Sequence, residues 1–532
     1  MLPFFHWYQS LGFRAFRQFR LLKLHLTFSK FYESQRFFLY AIHYHFSLPF
    51  HFYQLHHKCS LSFQHLQNST TFASEKKIRN MANTSTSISI FENISFKPTN
   101  SQAKALYELE SFIENASDDR VFILSGSAGT GKTTLTKAVV DYLNLLELPV
   151  VLLAPTGKAA SILKLKSGME TQTIHQLVYH PEQLEDGRVK FNFKENQSEV
   201  RTIYIVDEAS MIPATNASTG EFISANPLLL DFMRFVFMGN PLNQIVFLGD
   251  TYQLTPVLEN ESIALSAKRI NEIFELSVKQ VQLTEITRQA IDSPVLKLAN
   301  QIKTARDQNI SLYSLRPPRL TSAELALDYY TTFFDNQHLD EIMLICKSND
   351  QVQDWNRKIR EKLGLGHFTL CVGDVVMLRS AWMDANHQLV NGNMGVIASL
   401  SDNTEEIAGL RFKDAEIVFK NGDEFIRINS KVLLDSLDNP AAKLDTESIK
   451  YLKNDRMAKN TVYRASQKAK DDPYMNAMRL SYGFALTGHK AQGSEWKRVL
   501  FTPDKLRSTD HDWMYTAVTR ARNEVFSWWF NK

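Results

Sequence analysis

The stretch Val121-Phe-Ile-Leu-Ser-Gly126-Ser-Ala-Gly-Thr-Gly131-Lys132-Thr133-Thr134 constrains the fold more than any other part of the chain. An apolar run leads straight into a GxxxxGK[ST] loop and then a helix-like segment, the strand–loop–helix context that a phosphate-binding loop requires. The glycines let the backbone curl so that successive N–H groups and the helix N-terminus face phosphates, Lys132 neutralises β/γ charge, and the Thr133 hydroxyl ligates magnesium. The sequence therefore predicts nucleoside triphosphate binding by Gly126, Ser127, Ala128, Gly129, Thr130, Gly131, Lys132, Thr133 and Thr134.

The same pattern recurs along the chain. VFIL (121–124), VVLLA (150–154), IYIV (203–206), IVFL (245–248) and IMLIC (342–346) are too continuously apolar for strands with one face in water, and each stops at polar or Gly-rich residues. In an open parallel sheet ligands bind beyond the carboxyl ends of the strands, so these endings should converge on one crevice. IYIV ends in Asp207-Glu208: behind a phosphate loop, one carboxylate can hold magnesium and its neighbour can orient or deprotonate the attacking water. IVFL ends in Gly249-Asp250-Thr-Tyr-Gln253, whose glutamine could sense a γ-phosphate.

A chain of 532 residues with net charge +3, 44% apolar and 22% charged residues has length for several cores, and excludes collagen, coiled coil and wholesale disorder. Cys59, Cys346 and Cys371 are scattered and form no CxxC pair, which argues against a disulfide framework, structural zinc or an iron–sulfur cluster, and fits a reducing compartment. Residues 1–80 read differently, rich in Phe and His, with Glu33 and Glu75 their only acids. Three readings stay open for this segment: an organelle transit peptide, a membrane span over Phe37–His57, or no functional module at all, with a start at Met81. The rest of the chain is slightly acidic, so any nucleic-acid binding must rest on a local groove rather than on the field of the whole protein.

In order, Thr99-Asn-Ser-Gln102, GSAGTGKTT, APTGKAA (154–160), TIHQL (173–177), IVDEAS, LGDTYQLTPV, LTEITRQ (283–289), LTGHKAQGSEW (486–496) and YTAVTRAR (515–522) resemble the motifs of superfamily 1 helicases, specifically the RecD-like and Dda-like branch. The resemblance covers nearly everything from residue 97 onward. It implies that Gln102 reads adenine, that Lys132, Thr133, Asp207 and Glu208 are the phosphate, magnesium and water-activating residues with Thr133 and Asp207 the metal ligands, and that Gln253 contacts the γ-phosphate. It implies further that Arg288 and Arg520 reach the γ-phosphate from across the cleft, supplying the positive charge a dissociative transition state needs, and that Gly493 and Glu495 lie on the nucleotide side. Pro155, Thr156, Lys158, Thr173 and His175 fall where this family lays single-stranded DNA on the first domain, and Thr487, His489 and Lys490 where it does so on the second. Such binding should be sequence-independent and salt-sensitive.

The expected architecture is α/β: two RecA-like P-loop motor domains, with a small β-hairpin insertion in the first and an SH3-like β-barrel insertion in the second. The first motor domain is expected over 97–290, with its hairpin at about 180–198; the second begins over 291–365 and finishes over 479–532; the barrel occupies 366–435 and a charged insertion without assignable chemistry 436–478. Asp186-Gly187 is a good two-residue hairpin turn, and in the resembling family a hairpin here separates strands, with Phe191 or Phe193 available to stack at a fork. The leading reading is an ATP- and Mg2+-dependent DNA helicase moving 5′ to 3′ on single-stranded and forked DNA in replication, recombination or repair. Its expected setting is the cytoplasm at the nucleoid, without membrane or structural metal, and a monomer would suffice. A motor subunit of a helicase–nuclease complex, a DNA-stimulated ATPase switch and an RNA substrate are the alternatives.

Overall fold

The computed structural model describes residues 89–528 apart from 117–118, 184–188, 217–221, 288–292, 316, 367–368, 422–423, 439–445 and 503–505. The predicted apolar runs are strands, and three of those in the first lobe, Val121–Gly126, Ile203–Val206 and Gln244–Gly249, are buried along their whole length. Burial on both faces is the physical reason for their unbroken hydrophobicity. They form a six-stranded sheet in the spatial order Thr171–Thr173, Val150–Ala154, Ile203–Val206, Gln244–Gly249, Val121–Gly126, Val278–Leu283, and every pairing in it is parallel. One face packs against the helices Asn100–Glu114 and Lys132–Leu145, the other against Leu228–Gly239.

A second lobe is built on a four-stranded parallel sheet, in the order Ala485–Thr487, Ile342–Cys346, Trp496–Thr502, Ala521–Ser527. These are the two RecA-like lobes the motifs imply. Among the described residues no helix is long and apolar enough to cross a membrane.

Between the first and last strands of the second lobe lies a β-barrel. Its sheet runs Met394–Leu400, Val375–Leu378, Met478–Tyr482, Glu424–Leu433, Leu410–Asn421, and closes because Met394–Leu400 also pairs with Leu410–Asn421; Glu405–Ile407 adds an edge strand. The strand Met478–Tyr482 comes from the far end of the charged segment, whose helices Thr446–Lys459 and Thr461–Ser466 are therefore an excursion out of the barrel. Arg456 ties the excursion down, bonding Asp472 at 2.9 Å and covering the Tyr474 ring at 4.6 Å.

The barrel is fastened to the second lobe by a buried ion pair. From the helix Asn349–Lys362, Arg360 meets Asp374 through Nε at 2.7 Å and Nη2 at 2.9 Å, over the Tyr482 ring at 4.1 Å, with the two side chains 2% and 0% exposed. Removing one partner strands a buried charge, so Asp374→Ala is expected to destabilise the protein by about 3–5 kcal/mol. Urea unfolding followed by tryptophan fluorescence would show this, and an unchanged midpoint would contradict it.

In the first lobe, Tyr179–Gln183 and Val189–Phe193 form the small antiparallel hairpin, extended by Phe222–Ile223. The Asp186-Gly187 turn lies outside the described residues.

Candidate active site and nucleic-acid groove

The phosphate loop closes the strand Val121–Gly126 and opens the helix Lys132–Leu145. Gly131 has φ +85°, and a Cβ there would fall 2.5 Å from Gln102 Nε2, so both backbone conformation and space demand glycine. A Cβ on Gly126 would meet Thr130 Oγ1 at 2.6 Å. Lys132 Nζ crosses the loop to Gly126 O at 2.6 Å and Ser127 O at 3.3 Å. Gln102, 2% exposed, braces the loop from behind: its Oε1 accepts from Thr99 N and its Nε2 donates to Thr130 O, each at 2.9 Å. The amide expected to read adenine thus also caps its own helix and holds the loop. Gly129 O accepts from Thr287 N at 3.0 Å; Arg288, the next residue, lies outside the described residues.

Beside the loop, Asp207 and Glu208 end the strand Ile203–Val206. Glu208 takes φ +51°, a left-handed conformation that costs a side-chain-bearing residue about 1–3 kcal/mol and is held here by the turn that follows. Among the described residues its buried Oε2 has no hydrogen-bond partner. Burial, then the charge of Asp207, pushes the Glu208 carboxyl above the usual range, while Arg520 and Lys132 pull it back. Burial also raises Asp207, opposed by the Glu208 N–H and by Lys132 and Lys166. Gln253, 5% exposed, likewise carries a buried Oε1 with no partner.

The second lobe reaches this site through the helix His511–Val518 and the turn after it. Arg520 is 5% exposed, and among the described residues its guanidinium meets only neutral acceptors, Thr516 O at 3.1 Å, Ser494 O at 3.4 Å and Thr519 Oγ1 at 3.1 Å. Among the described residues it has no carboxylate ion pair, yet its charge reaches Glu208 of the first lobe. Tyr515 and Asp250, which sequence reasoning left without a role, also meet here: Tyr515 Oη accepts from Ala128 N at 2.9 Å and donates to Asp250 Oδ2 at 2.8 Å. The available signal was Tyr515 itself, the first residue of the YTAVTRAR motif.

The residues expected to bind DNA lie on both lobes. Three of the four threonine and proline positions act first on the backbone: Thr156, Thr173 and Thr487 cap the helices Gly157–Ser167, Ile174–Val178 and Gly488–Ala491, and Pro155 precedes the first of these caps. Lys158 stretches across to the Trp496 ring at 5.1 Å, and burial lowers its ammonium to about 8. Desolvation lowers both His489 and Lys490, and the Arg379 charge lowers Lys490 further. The Glu495 side chain is exposed, while Gly493, at φ +70°, is packed so that a Cβ would stand 3.2 Å from Ala159 Cβ. The barrel completes the enclosure, with Val390 Cβ 2.4 Å from where a Gly157 Cβ would be. The two hairpin phenylalanines are engaged within their own lobe, Phe191 against His175 at 5.3 Å and Tyr179 at 5.4 Å, Phe193 under Arg234 at 4.4 Å. His175 is lowered by burial in that cluster.

A phosphate loop and acidic pair on one lobe, with a buried arginine from a second lobe whose charge reaches Glu208, define a two-lobed P-loop fold. Residues 110–259 match the family model described as an AAA domain, and residues 482–526 that of a UvrD-like helicase C-terminal domain. The chain is a superfamily 1 helicase homologue, related at a distance to RecD2 and Dda. It is 24% identical over 453 residues to the ATP-dependent RecD2 DNA helicase of Deinococcus radiodurans, covering 79% of this chain but 48% of that protein, so it spans about half the relative's length. With the ATP-dependent DNA helicase Dda of Enterobacteria phage T4 it shares 24% identity over 440 residues, 76% of this chain and 93% of the relative. A solved Pif1 helicase structure concerned with unwinding at forked duplex DNA is 19% identical, covering 82% of this chain and 93% of its own, at a TM-score of 0.46.

Proposed function

We propose that the chain is an ATP-driven DNA helicase that moves 5′ to 3′ along single-stranded DNA and opens duplex ahead of it. The observation that carries this reading is Arg520: a buried guanidinium from one lobe, met among the described residues by neutral acceptors, whose charge reaches Glu208 of the other. Such a charge is useful when a triphosphate occupies the seam and its transition state needs cation support. Hydrolysis is then coupled to how the lobes meet, and alternating grip on DNA turns that cycle into stepping.

Thr133 and Asp207 supply the oxygen donors magnesium takes, and the partnerless Glu208 oxygen beside them fits a site with room for added positive charge. When bound, magnesium would neutralise charge on the β- and γ-phosphates. In this reading Lys132 holds the phosphates, Glu208 accepts a proton from the attacking water, and Gln253, whose side-chain oxygen is buried and unpaired among the described residues, senses the γ-phosphate.

Single-stranded DNA would lie over Thr156, Lys158 and His175 on one lobe and Thr487, His489 and Lys490 on the other, beneath the barrel. Because Phe191 and Phe193 are held by His175, Tyr179 and Arg234, they support a role in stiffening the hairpin behind its tip. The 5′ to 3′ direction follows the RecD-like and Dda-like resemblance, and the cytoplasmic nucleoid is the setting this reading implies, with replication or repair proteins as partners.

ATP hydrolysis should rise several-fold or more on adding single-stranded DNA, and a strand-displacement assay should open duplexes carrying a 5′ tail. Opening only from a 3′ tail would overturn the polarity. Hydrolysis indifferent to DNA would overturn the motor reading.

A further inference from the structure

We propose that Tyr515 is the positioning residue through which the second lobe senses the phosphate loop and aligns the Asp250–Leu254 turn for hydrolysis, an inference that rests on the ATPase reading above. One hydroxyl joins three elements. It accepts from the Ala128 N–H of the loop at 2.9 Å and donates to Asp250 Oδ2 at 2.8 Å, from a helix of the opposite lobe. Asp250 is fully buried, and its other oxygen accepts from Tyr252 N at 3.0 Å.

The contacts continue along the turn. The Tyr252 ring lies 5.8 Å from that of Tyr515, is flanked by Lys303 at 5.1 Å and Arg306 at 5.0 Å, and its hydroxyl donates to Asp307 at 2.9 Å. Leu254 is held at both backbone groups: Thr516 Oγ1 accepts from its N–H at 2.9 Å, and Gln492 Nε2 donates to its carbonyl at 3.0 Å. Gln253 therefore sits between two residues gripped by the second lobe, with its side-chain oxygen buried and unengaged.

The chemistry gives this arrangement a direction. Ala128 N–H belongs to a loop built to donate to phosphate, and a phosphate anion is a much stronger acceptor than a neutral phenol. A phosphate oxygen arriving there competes for that N–H, whereas the bond to Asp250 persists, because burial and the Asp250 charge keep the phenol protonated. Occupancy of the loop is thereby passed to Asp250, to Tyr252, and to the placement of Gln253.

The test is Tyr515→Phe in the full chain, which keeps the ring and its packing and removes both hydrogen bonds. With saturating single-stranded DNA, kcat for ATP should fall about 10- to 100-fold, the scale of losing hydrogen bonds to a charged group. KM for ATP and the affinity for a non-hydrolysable ATP analogue should each change by less than about two-fold, because Lys132 and the remaining loop amides still hold the phosphates. A wild-type kcat would overturn the proposal. So would a loss of analogue affinity matching the loss of rate, which would make Tyr515 a mere prop for the loop.

Asp250→Asn tests the same bond from its other end, independently of how Tyr515→Phe folds. It should lower kcat at unchanged KM, and adding Tyr515→Phe to it should cost less than about two-fold more, since the pair acts as one unit. Additive losses would contradict the shared path. If wild-type hydrolysis ignores DNA, the motor reading fails; if wild type responds to DNA and Tyr515→Phe matches it, only the present inference fails.

Discussion

Arg520→Ala protein is expected to hydrolyse ATP about 10³-fold or more slowly than wild type on single-stranded DNA, while still binding nucleotide. The side chain is 5% exposed and held by two carbonyls and a hydroxyl, so its orientation is fixed before any substrate arrives and its charge is unspent. A guanidinium placed this way interacts most strongly where negative charge builds up during phosphoryl transfer, lowering the barrier more than it strengthens ground-state binding. Arg520→Lys should not restore the rate, because an ammonium is a point charge that cannot reproduce the planar three-acceptor anchorage. Steady-state turnover and analogue binding separate the two effects. Turnover within ten-fold of wild type would mean that this arginine plays no part in the chemistry.

Glu208→Gln should abolish turnover to a similar degree and leave ATP bound, since the amide keeps the shape of the carboxylate and cannot take a proton. A second consequence follows from the buried, partnerless oxygen. Folding raises the Glu208 pKa, chiefly through burial, so the folded protein holds this proton more tightly than the unfolded chain does. The stability this group contributes is complete below its unfolded pKa and is lost as pH rises through its folded pKa. Glu208→Gln removes that loss, so its melting temperature should exceed that of wild type at neutral pH, and the difference should shrink on acidification. The same shift moves the acid limb of the wild-type rate profile above the range of a free glutamate. A wild-type melting curve parallel to that of the variant across this range would contradict the assignment of Glu208 as a strained, ionised base. The left-handed backbone at Glu208 belongs to the same compromise between stability and activity.

The parts of the fold that could be read in advance were those governed by local physics. Strands buried on both faces must be continuously apolar, so VFIL, VVLLA, IYIV, IVFL and IMLIC announced themselves, and the first four run parallel in one sheet, which brings their polar endings to the same edge. The glycine of the phosphate loop was legible for the same reason, as φ +85° at Gly131 is a requirement on one residue. The charged segment resisted because its meaning is non-local: Arg456 and Asp472 look like ordinary surface charges until Tyr474 and the strand Met478–Tyr482 are folded into the barrel. The hairpin phenylalanines read equally well as free or packed, and only Arg234, His175 and Tyr179, remote from them in most cases, decide between these. Gln102 shows how one amide can satisfy a motif and still have both its functions occupied by a cap and a loop carbonyl.

By itself the sequence determined that the chain makes parallel sheets with a phosphate loop, an acidic pair and helicase-like motifs, because each of those depends on residues within a few positions of one another. The resemblance already sent Arg520 across the cleft; only the tertiary structure decided which other groups from the second lobe stand against the first: Tyr515 between Ala128 and Asp250, Thr516 and Gln492 on Leu254. Those partners are separated by hundreds of residues, and hydrogen bonds act over about 3 Å. Nothing in their order along the chain encodes that proximity until two cores have packed and their seam has closed.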